Sequence, residues 1–190
     1  MDLGKRIRII RKEQKRSQEE IAKACGFSKS LLSKIESGST MPAVATLMKI
    51  ANALGVKVSD LLEVQSGLDT VKVSATQYAD TANWITTSKG YSFFAFASGR
   101  HNKILQPYIF IARKGEVKNH VFSHEGEEFI YVLSGKMKYK VGSVEYDMSA
   151  GDSLHFNSME EHAVTALSDE VKYLAVFTEH QPRTDAAVEE

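Results

Sequence analysis

At about Val64 the hydrophobic period of this chain changes from that of a helix to that of a strand, and no other feature constrains its fold as much. Apolar residues spaced three and four apart put one stripe on a helix, whereas alternation puts one face on a strand. Neither pattern can be laid into the other's structure, so the chain must build two units of different class. Its 190 residues are enough for two small domains.

In the first unit Leu3, Ile7 and Ile10 fall on one face of a first helix, and Lys5, Arg6, Arg8, Lys12 and Lys15 on the other. Ser17 followed three residues on by Glu20 is a capping box, so a second helix starts at Gln18, and Gly26 ends it. Ser28 caps a third helix that runs to Lys34 or Glu36 and stops before Gly38. A fourth follows Pro42, with Val44, Leu47, Met48, Ala51 and Leu54 as its buried stripe and Gly55 as its stop. Ser59–Leu62 reads as a short fifth. Two short helices joined by a glycine-bearing turn, with small Ala22 at the crossing and Ile21, Leu32 and Ile35 in the wedge, have the helix-turn-helix shape.

Charge points the same way. The chain is neutral overall, with 24 basic and 24 acidic residues, but residues 1–65 hold 12 basic against 7 acidic and the remainder 12 against 17. A localised basic block on a neutral protein indicates a localised anionic partner. No run approaches 18 consecutive apolar residues, so no membrane partner is expected. The N-terminus lacks the apolar core of a secretory signal, and one cysteine cannot form an intrachain disulfide; both fit a cytoplasmic protein.

The segments SQEEIAKACGFSKSLLSKIESG and PAVATLMKIANALGVKVSDLL resemble the phage-repressor-like, or xenobiotic-response-element, helix-turn-helix family over about residues 3–63. The resemblance implies double-stranded operator DNA as partner. It implies that Gln18 touches a phosphate or base edge and that Ser28, Lys29, Ser30, Ser33 and Lys34 line the helix entering the major groove. Thr40 and the amides after Gly38 are expected at phosphates. Arg11 and Glu36 match a family pair that is buried between the first and third helices; the other reading is two solvated charges. Cys25, beside Gly26, reads as a small buried hydrophobe.

Beyond the polar Gln65-Ser66-Gly67, residues 65–90 read as a linker with short lead-in strands at most. From Tyr91 come β-rich runs at roughly ten-residue spacing: YSFFAFAS, LQPYIFIAR, EEFIYVLSG, KMKYKVG, DSLHFN and KYLAVFTE. This is the pattern of an antiparallel sandwich or barrel. Residues 181–190 carry no pattern and are expected to be a flexible tail.

Six histidines offer chemistry here: His101, His120, His124, His155, His162 and His180. Glu128 shares a strand face with Ile130 and Val132, where a carboxylate is costly unless paired or metal-bound. Two imidazoles and a carboxylate would suit Zn²⁺, Fe²⁺, Ni²⁺ or Mn²⁺, while periodicity alone favours satisfied core histidines.

HEGEEFIYVLSG with AGDSLHFNSMEEH resembles the two motifs of the small cupin family, over about residues 91–178. The expected fold is therefore a five-helix, all-α repressor-like domain at 1–64 and an all-β cupin, a jelly-roll barrel, at 91–180. Matched by position, the cupin ligands here are His124, Glu128 and His162, with Phe122 where the family has a first histidine and Ser149 where it has a proline before Gly151. Three ligands could hold a divalent metal, or bind an organic ligand directly; His120, two residues off register, is the alternative fourth ligand. Phe122, Ile130 and Phe156 are expected to line the ligand pocket.

A repressor-like head on a cupin is the architecture of one-component regulators, which implies a small-molecule effector and a homodimer joined through the barrel. A mononuclear non-haem iron oxygenase of the helix-turn-helix–cupin epoxidase type is the alternative. A storage or scaffold module explains neither half.

Overall fold

A computed structural model describes residues 3–62, 70–97, 100, 103–118 and 120–178. The head holds α1 (Leu3–Glu13), α2 (Gln18–Cys25), α3 (Lys29–Glu36), α4 (Val44–Leu54) and α5 (Val58–Leu62). Its punctuation is local. Ser17 and Glu20 close the capping box, and Gly26 takes the left-handed conformation at φ 71° that ends α2. Ile7, Ile21, Leu32, Ile35, Leu47, Ile50 and Leu61 fill the head's core.

The lead-in differs from expectation. It carries a short helix, α6 (Ala75–Ala79), and a 3₁₀ turn at Thr81–Asn83, before β1 (Ile85–Thr86). Ser74 and Gln77 form a capping box that nucleates α6, and Tyr78 and Trp84 pack on Phe94. The expected tail, with His101 and His180, lies outside the described residues.

The barrel consists of β2 (Tyr91–Ala95), β3 (Leu105–Arg113), β4 (Glu127–Ser134), β5 (Lys136–Val141), β6 (Val144–Ser149), β7 (Ser153–Asn157), β8 (His162–Ala166) and β9 (Glu170–Thr178). One antiparallel sheet has the order β1-β2-β3-β9-β4-β7 and the other β6-β5-β8. The inner faces meet in an aromatic core in which Phe110 touches Tyr91, Phe93, Tyr173 and Phe177. Lys136, Lys138 and Lys140 point outward while Met137, Tyr139 and Val141 are buried.

Head and barrel share one contiguous buried cluster. The segment from Pro42 into α4 joins them: Ala43, Val44 and Ala45 are all buried, and the Ser88 amide donates to the Met41 carbonyl at 3.2 Å.

Candidate functional site

The barrel's buried polar residues converge. His124 precedes β4, Glu128 lies on β4 and His162 opens β8. The barrel brings the two histidines together through backbone: Phe122 and His162 exchange hydrogen bonds of 2.7 and 2.9 Å, and the His124 amide donates to Ser158 at 2.9 Å. The ligand atoms of His124, Glu128 and His162 lie within 4.8 Å of one another.

Their protonation can be read from their partners. His124 Nδ1 is 3.2 Å from the Glu125 carbonyl and His162 Nδ1 is 2.8 Å from the Glu160 carbonyl. A carbonyl only accepts, so each Nδ1 carries a proton and Nε2 is the atom each ring turns toward Glu128. Those Nε2 atoms face Glu128 Oε2 at 3.5 and 3.4 Å. Burial pushes the His162 imidazole down, outweighing the pull of Glu128, so that ring is neutral near pH 7. The three polar groups thus face one another in a small cavity among aromatic side chains. His124 Nε2 and Glu128 Oε2, both buried, have no hydrogen-bond partner. A divalent cation between them would satisfy all three, so the residues fit a metal; this mixed nitrogen and oxygen set suits Zn²⁺, Fe²⁺, Ni²⁺ or Mn²⁺. The carbonyls of Glu125 and Glu160, by accepting from Nδ1, would hold each ring with Nε2 toward the cation.

Tyr139 donates to Glu128 Oε1 at 3.4 Å. Burial, then the Glu128 charge, pushes the phenols of Tyr139 and Tyr173 well up, so both stay protonated. The cavity above the cluster is about 30 Å³ and is walled by Phe122, Tyr91, Phe110, Tyr139, Tyr173 and Phe177. Val44 and Ala45 of the head complete the wall.

Two expected pocket residues lie elsewhere. Ile130 is fully buried further along β4, and Phe156 packs behind His162 at 5.0 Å between ring centroids; neither lines the cavity. The tyrosines replace them. Tyr139 was legible as the buried position of an alternating strand; Val44 read only as a stripe residue of its own helix, and Ala45 carried no signal. His120 stacks edge-on against Phe122 at 4.5 Å and lies outside the ligand cluster. His155 is exposed, 3.2 Å from Glu127.

On the head, Lys29, Ser30, Ser33 and Lys34 are exposed along one side of α3. Ser28 caps that helix, accepting from the Leu31 amide at 3.2 Å. The Gln18 side-chain amide donates to Glu36 Oε2 at 2.8 Å, in a network with Arg11. Arg11 grips Glu36 through two bonds of 2.6 and 2.8 Å, so the pair is buried. The Gly38 and Thr40 amides donate to the Ile35 and Lys34 carbonyls, closing the end of α3. A groove of about 470 Å³ runs past Gln18, Lys29 and Ser33, and Arg8 borders it as well.

A five-helix head with an exposed basic recognition helix, joined to a two-sheet barrel with a buried histidine–glutamate cluster, defines the class. The helix-turn-helix family matches residues 7–61 and the cupin domain family matches residues 108–177. The chain is 27% identical over 181 residues, 95% of each chain, to the HTH-type transcriptional regulator PuuR of Escherichia coli K12. It is 40% identical over 58 residues, 30% of this chain and 84% of the other, to the uncharacterized HTH-type transcriptional regulator YazB of Bacillus subtilis 168. In fold it is similar to a helix-turn-helix family transcriptional regulator from Vibrio cholerae, with TM-score 0.71 and 18% identity over 94% of this chain and 96% of that one. The chain belongs to the helix-turn-helix transcriptional regulators of the phage-repressor type, with a cupin domain as its second half. Among the described residues, no helix is long and apolar enough to cross a membrane.

Proposed function

We propose that this DNA-binding regulator reads a specific operator as a homodimer in the cytoplasm, and that its barrel senses a small-molecule effector through a divalent cation on His124, Glu128 and His162. The observation that carries the sensor reading is the pair of buried polar atoms without a hydrogen-bond partner, His124 Nε2 and Glu128 Oε2, in a cavity walled partly by the head. A buried polar atom left without a partner costs stability unless something binds it. A ligand there can shift DNA affinity by its differential affinity for two states of the head.

The iron-oxygenase alternative uses the same three ligands, which leave coordination positions open. A cavity of about 30 Å³ holds roughly two water-sized bodies, so under either reading the site must open to admit an organic molecule. The exposed lysines and serines of α3 are of no use to an enzyme alone.

Selection from genomic fragments tests the regulator reading. One operator should be enriched, and Lys29→Ala or Ser30→Ala should weaken it by about 1–3 kcal/mol if each reads a base. Arg8→Ala should weaken all sequences alike and flatten the salt dependence. No enrichment above background would sink it. O₂ consumption by the Fe²⁺-loaded protein coupled to a modified ligand, with operator affinity flat, would favour the enzyme.

A further inference from the structure

The head's fourth helix has no cap of its own. α4 starts at Val44 behind Ala43, which offers no side-chain acceptor, and its first internal bond runs from the Leu47 amide to the Ala43 carbonyl. The amides of the first turn therefore need partners from elsewhere. The barrel supplies one: the buried Tyr91 hydroxyl accepts from the Val44 amide. Tyr91 is itself fixed by the turn before β2, where the Thr87 amide and hydroxyl both donate to its carbonyl at 2.9 Å.

The same side chain walls the cavity of His124, Glu128 and His162. Its ring meets Phe122 edge-on at 5.9 Å between centroids, and Phe122 stacks on the His162 ring at 5.8 Å. Of the residues around that cavity, only Val44 and Ala45 come from outside the barrel. On the head side, α4 follows the recognition helix directly, and the Thr40 amide ties the connecting segment to the Lys34 carbonyl of α3. Tyr91 thus touches both the wall of the cluster and the helix that follows α3.

The sign of the coupling follows from the cluster. His124 Nε2 and Glu128 Oε2 are buried without hydrogen-bond partners. Without a bound ion, any arrangement that lets water reach them is favoured. Moving the head's wall aside admits water without unpairing a barrel strand. A cation on the three ligands removes that advantage. The Nε2–Oε2 separations of 3.5 and 3.4 Å match the roughly 3.4 Å edge of a tetrahedron with bonds of about 2.1 Å, so these ligands need move little to hold one. With its wall closed, the cavity of about 30 Å³ takes an ion and one water.

We propose that Tyr91 is the positioning residue between sensor and head: it fastens α4 to the barrel when a divalent cation is held by His124, Glu128 and His162, and releases α4 when none is. This rests on the sensor reading and supplies its relay.

The full chain with Co²⁺ as the probe tests this, its visible absorption reporting saturation. Saturating Co²⁺ should slow hydrogen exchange at the Ala45, Thr46 and Leu47 amides at least fivefold, and His162→Ala should lose the response. Two variants remove the two sides of the bond. Tyr91→Phe keeps the ring and loses the hydroxyl. Val44→Pro loses the amide at the first helical position, where proline is tolerated, and Ala43 at φ −67° and ψ 157° already has the backbone that a following proline requires. In each, α4 exchange under saturating Co²⁺ should equal exchange without it. Co²⁺ bound with α4 exchange unchanged in the wild type, a wild-type response in either variant, or no Co²⁺ binding by the wild type would each overturn the proposal. Operator affinity in the same samples reports on the sensor reading separately. Slowed exchange with operator affinity flat keeps the Tyr91 coupling and removes the sensor. Operator affinity that answers to Co²⁺ while α4 exchange does not overturns the coupling and keeps the sensor.

Discussion

Glu36 is the residue on which the head's interior turns. Burial pushes its carboxyl up, but hydrogen bonds from Arg11 and Gln18 outweigh this and hold it below the ordinary 4.5. Removing one partner of a buried pair strands the other's charge, so Glu36→Ala should cost about 3–5 kcal/mol by denaturant melting. An unchanged midpoint would show the pair contributes nothing. Because the folded pKa is depressed, the pair's contribution is fully present above pH 4.5 and is lost as pH falls through the lower folded value. An acid titration of Glu36→Gln should therefore lack the part of the stability loss that wild type shows below pH 4.5. Cys25 contrasts with it. Burial pushes its thiol up to about 11, and its S–H donates to the Lys49 carbonyl at 3.4 Å. The thiolate is the reactive form, so native Cys25 should alkylate with iodoacetamide far more slowly at pH 7.5 than the same residue in urea. Equal rates would place the thiol at the surface. Both environments were foreshadowed by type and spacing, but Gln18 was not: an exposed-looking cap neighbour turned out to complete a buried pair.

At the scale of elements, α1 and α3 meet backbone to backbone at Gly4. A Cβ there would lie 2.2 Å from the Ile35 carbonyl oxygen and 2.8 Å from that of Glu36. Neither atom can rotate away, so Gly4→Ala should force the helices apart and cost about 1–3 kcal/mol. Wild-type stability in that variant would mean α1 can slide. In the barrel, Glu128 of β4 and His162 of β8 bring the candidate metal ligands of two sheets together beside His124. A divalent cation at a hundred times its Kd should stabilise the fold by about 2.7 kcal/mol, and EDTA should reverse the gain. His162→Ala should be insensitive to both. The head's helices were legible because each carries its own stop and start: Ser17 with Glu20, Gly26, Ser28 and Gly55 act within a few residues. β6 and β8 were missed for the opposite reason. β6 buries only Met148 among its six residues, so it has no readable stripe. β8 is five residues long and is held by pairing to β5.

For the whole molecule, Phe129, Tyr131 and Leu133 stand on the outer face of β4, 39%, 39% and 42% exposed. Their strand neighbours Val176 and Leu174 extend the apolar strip onto β9. The proposed barrel-joined homodimer would need roughly 800 Å² per partner, and this apolar face is where it would form. Tyr131→Glu with Leu133→Glu should sediment as a folded monomer and bind a two-fold operator more weakly. A dimer that persists would move the interface elsewhere. By itself the sequence determined the two classes of unit, the α3 surface residues and the triad His124, Glu128 and His162, because each rests on spacing within a motif or on residue types the motif demands. The tertiary structure alone decided that Val44 and Ala45 close over that triad. It also decided that Tyr91, Tyr139 and Tyr173, not Ile130 and Phe156, wall the cavity. A residue's period says which face of its own element is buried. Which partner covers that face depends on how two separately specified surfaces fit together, and no local pattern encodes it.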